Sequence, residues 1–333
     1  MSPSAADLAL ARDLLTKRSK GQRVCVPVFG TGLNIQAATV AGYAHRDDWS
    51  ELLAKIGRHV LKDARALDDL PRTHLALWES LLCLWARQTS TYPFQAENVL
   101  QQLICRELRA QEEECRSFGL YRNVIDAGFS DIISLNFDRR IALSSKTNTF
   151  VTGPNPCPLG SHGESLFRHS VVQRDEAART RIWYPHGDVK KAATLKFGVR
   201  KYGFHIGVLR EYMGGYDGAW RYRASSLKHM PTAGTKGRLL RRTPNWVSLF
   251  LERPLVFVGC GLSPQEWALW WLLRRRSELG APPAICLTIG QAAAPPHLRD
   301  IPELRAIAFD TPAELWRAFL SWVTPGARVR SHA

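Results

Sequence analysis

Three short segments, far apart in the chain, place glycine, amide, carboxylate and imidazole groups directly after apolar runs. They are residues 29–34 (FGTGLN), 134–138 (SLNFD) and 184–187 (YPHG). The apolar runs are short and rich in β-branched or aromatic residues, as is typical of buried strands. Ligands of parallel sheets bind at the carboxyl ends of strands. We therefore expect the three segments to border one pocket.

The first segment has the composition of a phosphate-binding turn. Glycine lets the backbone approach a pyrophosphate closely and lets amide N–H groups point at it. Gly30, Thr31, Gly32 and Asn34 are therefore candidate ligand-binding residues. The G-x-G-x-x-G fingerprint is incomplete, because Ile35 stands in place of its third glycine. A tight turn without a ligand is the alternative interpretation.

The second segment carries Asn136 and Asp138 on either side of Phe137. An amide and a carboxylate can hold ribose hydroxyls and orient a water molecule. Asp138 is equally suited to cap a helix that begins at Arg139. Asn136 lies too early in the chain for that role, so the sequence favours a functional role for its amide.

The third segment ends in His186 and Gly187. A histidine beside a pocket can act as a general base near neutral pH, and an ordinary hydrogen-bonded histidine is the alternative.

A fourth turn also follows an apolar run and precedes a helical pattern. At this position it could pass close to an adenosine ribose. It consists of Gly259, Cys260 and Gly261. A flexible strand-to-helix turn would explain it equally well.

The periodicity of the apolar residues predicts an α/β protein, with a Rossmann-like parallel sheet covered by helices on both faces. Strands are predicted at 24–29, 132–135, 181–184, 255–258, 284–288 and 306–309. Helices are predicted at 5–19, 49–61, 73–86, 95–112, 121–127, 264–276 and 311–323. Turn-forming residues predict a long loop at 153–170. We expect one domain over 1–333, with a helical insertion subdomain at 45–128.

The composition indicates a globular cytoplasmic protein. Hydrophobic residues make up 45% of the 333 residues, and no apolar run approaches the roughly 18 residues of a membrane span. The N-terminus lacks the basic and then apolar pattern of a signal peptide. The seven cysteines include no C-x-x-C pair, so we expect neither a structural zinc site nor disulfides. We expect no membrane partner.

The net charge of +15 is concentrated in one stretch. Residues 186–253 contain 14 Lys or Arg against 4 Asp or Glu, which gives +10 there. Such a stretch can bind nucleic acid, a nucleotide or an acidic protein. A solvated basic face is the other interpretation, since the stretch matches no nucleic-acid-binding motif.

The four segments together resemble the sirtuin-like domains that bind nicotinamide dinucleotides, especially the bacterial branch of antiphage-defence effectors such as those of Thoeris systems. The order of motifs is similar: a glycine turn (30–34), Asn-x-Asp (136–138), His-Gly (186–187) and a late strand ending in glycine (257–264). Residues 49–53 (WSELL) resemble the Trp-x-x-Leu-Leu helix of that branch. The resemblance covers about residues 20 to 290. The four-cysteine zinc module of protein-deacetylating sirtuins is absent from the sequence.

The resemblance implies an NAD⁺ hydrolase that cleaves the nicotinamide–ribosyl bond and needs no metal. It implies that Asn136 positions the ribose or the attacking water and that His186 accepts a proton. Asp138 would hold the ribose, and the remaining candidates would bind the dinucleotide: Gly30, Thr31, Gly32, Asn34, Gly259, Cys260 and Gly261. An antiphage effector of this kind is expected to act as a homo-oligomer or with a sensor protein.

Two other functions are open on the sequence alone. The same fold can transfer the ADP-ribosyl or acyl group, as an NAD-dependent protein deacylase or ADP-ribosyltransferase, although the missing zinc module speaks against deacylation. It can also bind a nucleotide or ADP-ribose as a sensor without cleaving it. Asn34 and Cys260 stand where the family more often has serine or threonine, which gives the sensor some support.

Overall fold

The protein has an α/β fold built on an eight-stranded mixed sheet. The computed structural model describes residues 3–19, 22–43, 49–62, 74–114, 118–155, 157, 159–174, 178–217, 243–263, 266–290, 301 and 304–324. The strands are β1 (Arg18–Ser19), β2 (Gln22–Arg23), β3 (Val26–Phe29), β4 (Asp131–Ser134), β5 (Asn148–Val151), β6 (His169–Gln173), β7 (Arg179–Trp183), β8 (Leu255–Val258), β9 (Ala284–Ile289) and β10 (Leu304–Phe309). The first two form a separate small hairpin.

The strand order of the sheet is β10-β9-β8-β3-β4-β7-β6-β5. The six strands from β10 to β7 are parallel, while β6 and β5 extend the sheet in antiparallel pairing. From β3 the chain forms β4, then β5 at the far edge of the sheet, and comes back through β6 and β7 before it forms β8 on the other side of β3. The order therefore reverses between β3 and β8, and such a switch point leaves a crevice at the carboxyl ends of the strands. The predicted Rossmann-like fold is confirmed.

Strand register aligns the ends of the four strands that carry the motifs. Phe29 pairs with Ser134 of β4 on one side and with Val258 of β8 on the other. Ile133 pairs with Trp183 of β7. The segments that follow these strands therefore emerge at one edge of the sheet. The sequence predicted each of these strands, with ends that differ by one or two residues.

Helices cover both faces of the sheet. They are α1 (Ala5–Thr16), α2 (Thr31–Val40), α3 (Trp49–Val60), α4 (His74–Thr89), α5 (Pro93–Glu114), α6 (Gly119–Asp126), α7 (Arg140–Leu143), α8 (Gly160–Gly163), α9 (Gly198–Asp217), α10 (Trp246–Glu252), α11 (Trp267–Glu278) and α12 (Pro312–Val323). Strand β8 shows the two faces: Val256 and Val258 join one core cluster, whereas Leu255 and Phe257 join the other. This alternation is the two-residue period of a strand buried on both sides.

Helices α3, α4 and α5 supply most of a third hydrophobic cluster. It includes Phe137, just after β4, and Phe197, just before α9. The helical insertion therefore packs onto the segments that follow β4 and β7, at the edge of the sheet where the carboxyl ends of these strands lie. Helix α6 packs instead against the sheet, in the cluster that contains Val256 and Val258. The helices of the third cluster therefore end at α5.

The structure contradicts the sequence-based assignment of two regions. Residues 153–170, predicted as a long loop, contain α8, a 3₁₀ turn at Glu164–Leu166 and the start of β6. Residues 30–32, interpreted as a turn that leads into a loop, instead follow the end of β3 directly as the N-cap and first turn of α2. Within the described residues, no helix is both long and apolar enough to span a bilayer.

Candidate functional site

A cavity of about 230 Å³ opens at the carboxyl ends of β3, β4, β7 and β8. Six of the ten residues proposed from the sequence line it: Gly30, Thr31, Asn136, His186, Cys260 and Gly261. The other four do not line it: Gly32, Asn34, Asp138 and Gly259. The central expectation was that the amide at 136 and the imidazole at 186 border one hollow, and the structure places both there.

Asn136 is held against the end of β3. Its Nδ2 donates to the carbonyl oxygen of Gly30 at 3.0 Å, and the backbone N–H of Leu135 donates to the carbonyl of Phe29 at 2.8 Å. The side chain is buried, with 2% of its surface exposed. One hydrogen of the amide nitrogen is used by Gly30, so Asn136 offers a ligand its carbonyl oxygen, which accepts a hydrogen bond from a hydroxyl or water, and one remaining N–H.

His186 is fixed by the neighbouring strand end. Its Nδ1 lies 3.1 Å from the carbonyl oxygen of Leu135. A carbonyl only accepts, so Nδ1 carries the proton and Nε2 of the neutral ring carries the lone pair. Gly187 has φ +88°, and a Cβ there would lie 2.1 Å from the carbonyl oxygen of Thr194. The His-Gly order thus lets the chain double back against the histidine.

The loop after His186 is anchored by a buried ion pair. Arg168 donates to Asp188 through Nε at 2.5 Å and through a second guanidinium nitrogen at 3.2 Å. The Asp188 carboxylate also accepts from the backbone N–H of Lys190, and Thr194 Oγ1 accepts from the N–H of Asp188. A bidentate pair of this kind restricts geometry strongly, so the loop is rigid around the imidazole.

Glu266 faces the other side of the same imidazole. Its Oε2 lies 3.2 Å from His186 Nε2, outside the alignment of a full hydrogen bond. Tyr202 of α9 hydrogen-bonds Glu266, and burial together with that carboxylate raises the pKa of the Tyr202 phenol well above its usual value. Both Glu266 and Tyr202 line the cavity.

An aromatic wall closes the cavity on the side of the helical insertion. The Trp49 ring centroid lies 5.0 Å from that of Phe137 and 5.5 Å from that of Phe197, and the two phenylalanine rings are 4.6 Å apart. Trp49 and Phe197 line the cavity together with Phe137. Such a wall can bind a flat ring by stacking or, for a cationic ring, by cation–π attraction.

The glycines of the first and fourth motifs pack backbone against backbone. The N–H of Gly32 donates to the carbonyl of Gly259 at 3.0 Å. A Cβ on Gly32 would stand 2.7 Å from the Cα of Gly259, and one on Gly30 would stand 2.7 Å from the Gly259 carbonyl oxygen. The backbone N–H of Gly32 therefore bonds within the protein. Close packing between the two turns is enough to explain why a glycine stands at position 32, and a bound phosphate is not needed to explain it.

Asn34 and Asp138 form a buried network behind the cavity. Asn34 Nδ2 donates to Asp138 Oδ2 at 2.7 Å, and Asn34 Oδ1 accepts from the Tyr121 hydroxyl at 3.0 Å. Asp138 Oδ1 accepts from the backbone N–H of Arg140 at 3.1 Å, as an Asx turn does. These contacts connect α2 to the segment after β4. Because both side chains bond within the protein, the geometry does not support the prediction that they bind a ligand.

Two further buried groups border the site. Burial, reinforced by the Lys201 charge, lowers the pKa of Lys196 to about 7, and this side chain lines the cavity. Its Nζ donates to the carbonyl of His162 at 3.2 Å. Burial raises the pKa of the Cys260 thiol well above its usual value, and the thiol points at the Val28 carbonyl. Cys260 is thus a neutral wall residue.

Sequence reasoning missed several residues that line the cavity, among them Trp49, Lys196, Phe197, Tyr202 and Glu266. The Trp-x-x-Leu-Leu pattern pointed to the helix that carries Trp49, but not to its position in the site. Nothing in the spacing of the other four indicated the cavity.

The chain matches none of the models of known protein families with which it was compared, and the curated proteins compared with it include no relative. The resemblance to sirtuin-like domains therefore rests on the motifs.

Replacing Gly32 by alanine tests the packing of the two turns. We expect Gly32→Ala to lower the free energy of unfolding by about 1–3 kcal/mol, because the new methyl group would overlap the backbone of Gly259. Gly261→Ala is the matched control, since a Cβ there meets nothing within 4 Å, and we expect a change within about 0.5 kcal/mol. Urea denaturation measures both. Equal effects would show that the turns do not pack as described.

Lys196→Met should change the pH dependence of stability. Because the pKa of Lys196 in the folded protein is about 7, the folded state binds fewer protons than the unfolded state between pH 7 and about 10.4, the ordinary lysine value. Wild-type stability therefore rises with pH across that window. We expect the variant to be more stable than the wild type by about 3–5 kcal/mol at pH 6, with the difference vanishing towards pH 10.

Urea denaturation from pH 6 to pH 10 follows this difference. Lys191→Met is the control, because Lys191 is half exposed and pairs with Glu164 on the surface. A difference between Lys196→Met and the wild type that stays constant with pH would contradict a buried lysine of lowered pKa.

Proposed function

We propose that this protein is an NAD⁺ hydrolase that breaks the nicotinamide–ribosyl bond and releases nicotinamide and ADP-ribose. The observation that carries the proposal is that Asn136 and His186 line one cavity at the switch point of the sheet. A carbonyl oxygen and an imidazole are the groups that can hold a ribose hydroxyl or water and accept its proton. The order of the four motifs supports the same activity by resemblance.

The shape of the cavity suits the nicotinamide end of the dinucleotide. Its volume of about 230 Å³ is below the roughly 300–1,000 Å³ of pockets that enclose a whole drug-sized ligand. The nicotinamide ring would lie against Trp49, Phe137 and Phe197, where its positive charge gains cation–π attraction. The ribose would lie by Asn136, and the remainder of the dinucleotide would leave past Thr31 and Gly261.

The proposed reaction breaks the bond between ribose C1′ and the ring nitrogen. The electron pair goes to the nitrogen, neutral nicotinamide leaves, and positive charge develops on the ribose. Water then bonds to C1′ and loses a proton. Asn136 positions the ribose or the water through its amide oxygen, and His186 is part of the proton-accepting machinery on the cavity wall. This chemistry accounts for the two polar groups at adjacent strand ends.

We propose from the resemblance that the enzyme is a cytoplasmic antiphage effector that works as a homo-oligomer or with a sensor protein. A nucleic-acid partner through residues 186–253 gains little support from the described residues. Half of the 14 cations of that stretch fall at 218–242, outside the described residues. Of the others, Lys196 is buried, while Arg200 pairs with Glu97 and Lys191 pairs with Glu164.

Asn136→Ala and His186→Ala test the proposal directly. We expect each variant to lower the rate of nicotinamide release from NAD⁺ at least about 100-fold, because each removes a group that acts on the reacting ribose or water. Purified protein is incubated with NAD⁺, alone and with the products of neighbouring genes, and nicotinamide is measured by chromatography. Asn123→Ala and His59→Ala are matched controls, since both residues are exposed on helices.

Mass spectrometry of the products separates the competing functions. O-acetyl-ADP-ribose or an ADP-ribosylated protein would indicate a transferase, and tight ADP-ribose binding without turnover would indicate a sensor. Full activity of either Asn136→Ala or His186→Ala would show that the site is assigned wrongly.

A further inference from the structure

Glu266 and His186 face each other although their parent strands are not neighbours. His186 follows β7 and Glu266 follows β8, and β3 and β4 lie between these strands. Three strand spacings amount to roughly 14 Å. The 3.2 Å approach of Glu266 Oε2 to His186 Nε2 therefore requires the segment after β8 to cross the strand ends and bring a carboxylate onto the imidazole.

The backbone fixes Glu266 at the start of α11. Its N–H donates to the carbonyl of Ser263 at 3.0 Å, and its own carbonyl accepts from the N–H of Trp270 at 3.0 Å. The Trp270 indole donates to the same Ser263 carbonyl at 2.8 Å. The Glu266 side chain is 18% exposed and lines the cavity, so it is anchored yet accessible to a ligand.

The groups around this pair have neutral forms that are favoured by burial. Tyr202 hydrogen-bonds Glu266 from α9, with its phenol pKa raised by burial and by the carboxylate. The His205 ring lies 6.5 Å from the His186 ring, and burial, with the Lys196 charge next, lowers the pKa of His205 well below its usual value. Cys260, on the turn after β8, is held as a thiol by burial, which raises its pKa.

The orientation of the imidazole decides where a proton can go. Since Nδ1 is committed to the Leu135 carbonyl, the ring can accept a proton only at Nε2, and that nitrogen faces Glu266. Two acceptors 3.2 Å apart place both groups within reach of one transferred proton. Enzymes that cleave glycosidic bonds place carboxylates beside the bond that breaks. They do so because the sugar carries positive charge in the transition state and the attacking water must lose a proton.

We propose that Glu266 is a catalytic residue of the nicotinamide–ribosyl cleavage and forms, with His186, a dyad that accepts the proton of the attacking water. This inference rests on the proposed NAD⁺ hydrolase activity. The water oxygen bonds to ribose C1′ as the bond to nicotinamide breaks and leaves its electron pair on the ring nitrogen. The water proton passes to the space between Glu266 Oε2 and His186 Nε2, and then to solvent. The carboxylate also offsets the charge developing on the ribose.

Glu266→Gln keeps the size of the side chain and removes its charge. We expect kcat for nicotinamide release to fall at least about 100-fold, since general acid–base groups contribute about 10²–10⁴, with ADP-ribose affinity changed less than about threefold. Glu278→Gln, at the other end of the same helix and partly exposed, is the matched control and should keep wild-type activity. Isothermal titration with ADP-ribose measures binding separately from turnover.

Formate rescue distinguishes catalysis from a structural role. Glu266→Ala leaves space for a small carboxylate, and we expect added formate to raise its rate at least about tenfold towards that of the wild type, with no effect on Asn136→Ala. A positioning role for Glu266 would give no such recovery.

The outcomes separate this inference from the proposed function. A wild-type protein that releases nicotinamide while Glu266→Gln does so equally well would overturn the role of Glu266 alone. A Glu266→Gln variant that releases nicotinamide faster than the wild type would also overturn it. In that case the carboxylate would hinder His186 and not assist it. A wild-type protein without NAD⁺ cleavage under every condition, including the neighbouring gene products, would overturn both.

Discussion

The turn after β3 lies directly against the turn after β8, with no side chain between them. Gly32 donates to the carbonyl of Gly259, and a Cβ on Gly30 or Gly32 would overlap that residue. The two turns flank the switch point of the sheet, so their contact sets how far apart the two walls of the crevice stand. The Gly30 carbonyl, held in this packing, then receives the amide of Asn136. The position of the candidate catalytic amide thus depends on a contact between glycines.

A similar dependence places the imidazole. His186 is docked on the Leu135 carbonyl, which belongs to the backbone of the second motif. The next residue of this backbone is Asn136. The one after it, Phe137, packs its ring against Trp49 and Phe197 of the aromatic wall. Three consecutive residues after β4 therefore hold the His186 imidazole, the Asn136 amide and the aromatic wall at one cavity. A shift of this segment would displace all three groups together.

The sequence predicted the fold better than the roles of individual residues. Buried strands such as β8 are easy to predict, because four consecutive apolar residues followed by glycine are typical of a buried strand that ends in a turn. The edge strand β5 and its neighbour β6 were missed, since β5 (NTFV) and β6 (HSVVQ) are short, contain polar residues and lie among turn-forming segments. Helix α2 was missed because Gly30 and Gly32 suggested a turn.

Individual roles depended on the strand order, which the sequence does not show. Asp138 has the spacing of a ribose ligand, yet its oxygens contact Asn34 and Arg140. Glu266 stands eight residues beyond β8 and just past the fourth motif, and it gains its significance only from its 3.2 Å approach to His186. A local pattern locates the turn that can form a site, whereas contacts between turns decide which side chains enter it.

Burial also determines the charge of the cavity, and this bears on which ligand it can accept. Lys196 and His205 are cationic residue types, and two such charges beside the cavity would repel a pyridinium ring. Loss of water around them lowers the pKa of both groups, so that the neutral forms are favoured as pH rises above 7. Tyr202 and Cys260 are kept neutral by the same cause. A wall whose basic groups favour their neutral forms above pH 7, with Glu266 and three aromatic rings lining the cavity, suits a cationic ring better than a fully charged wall would.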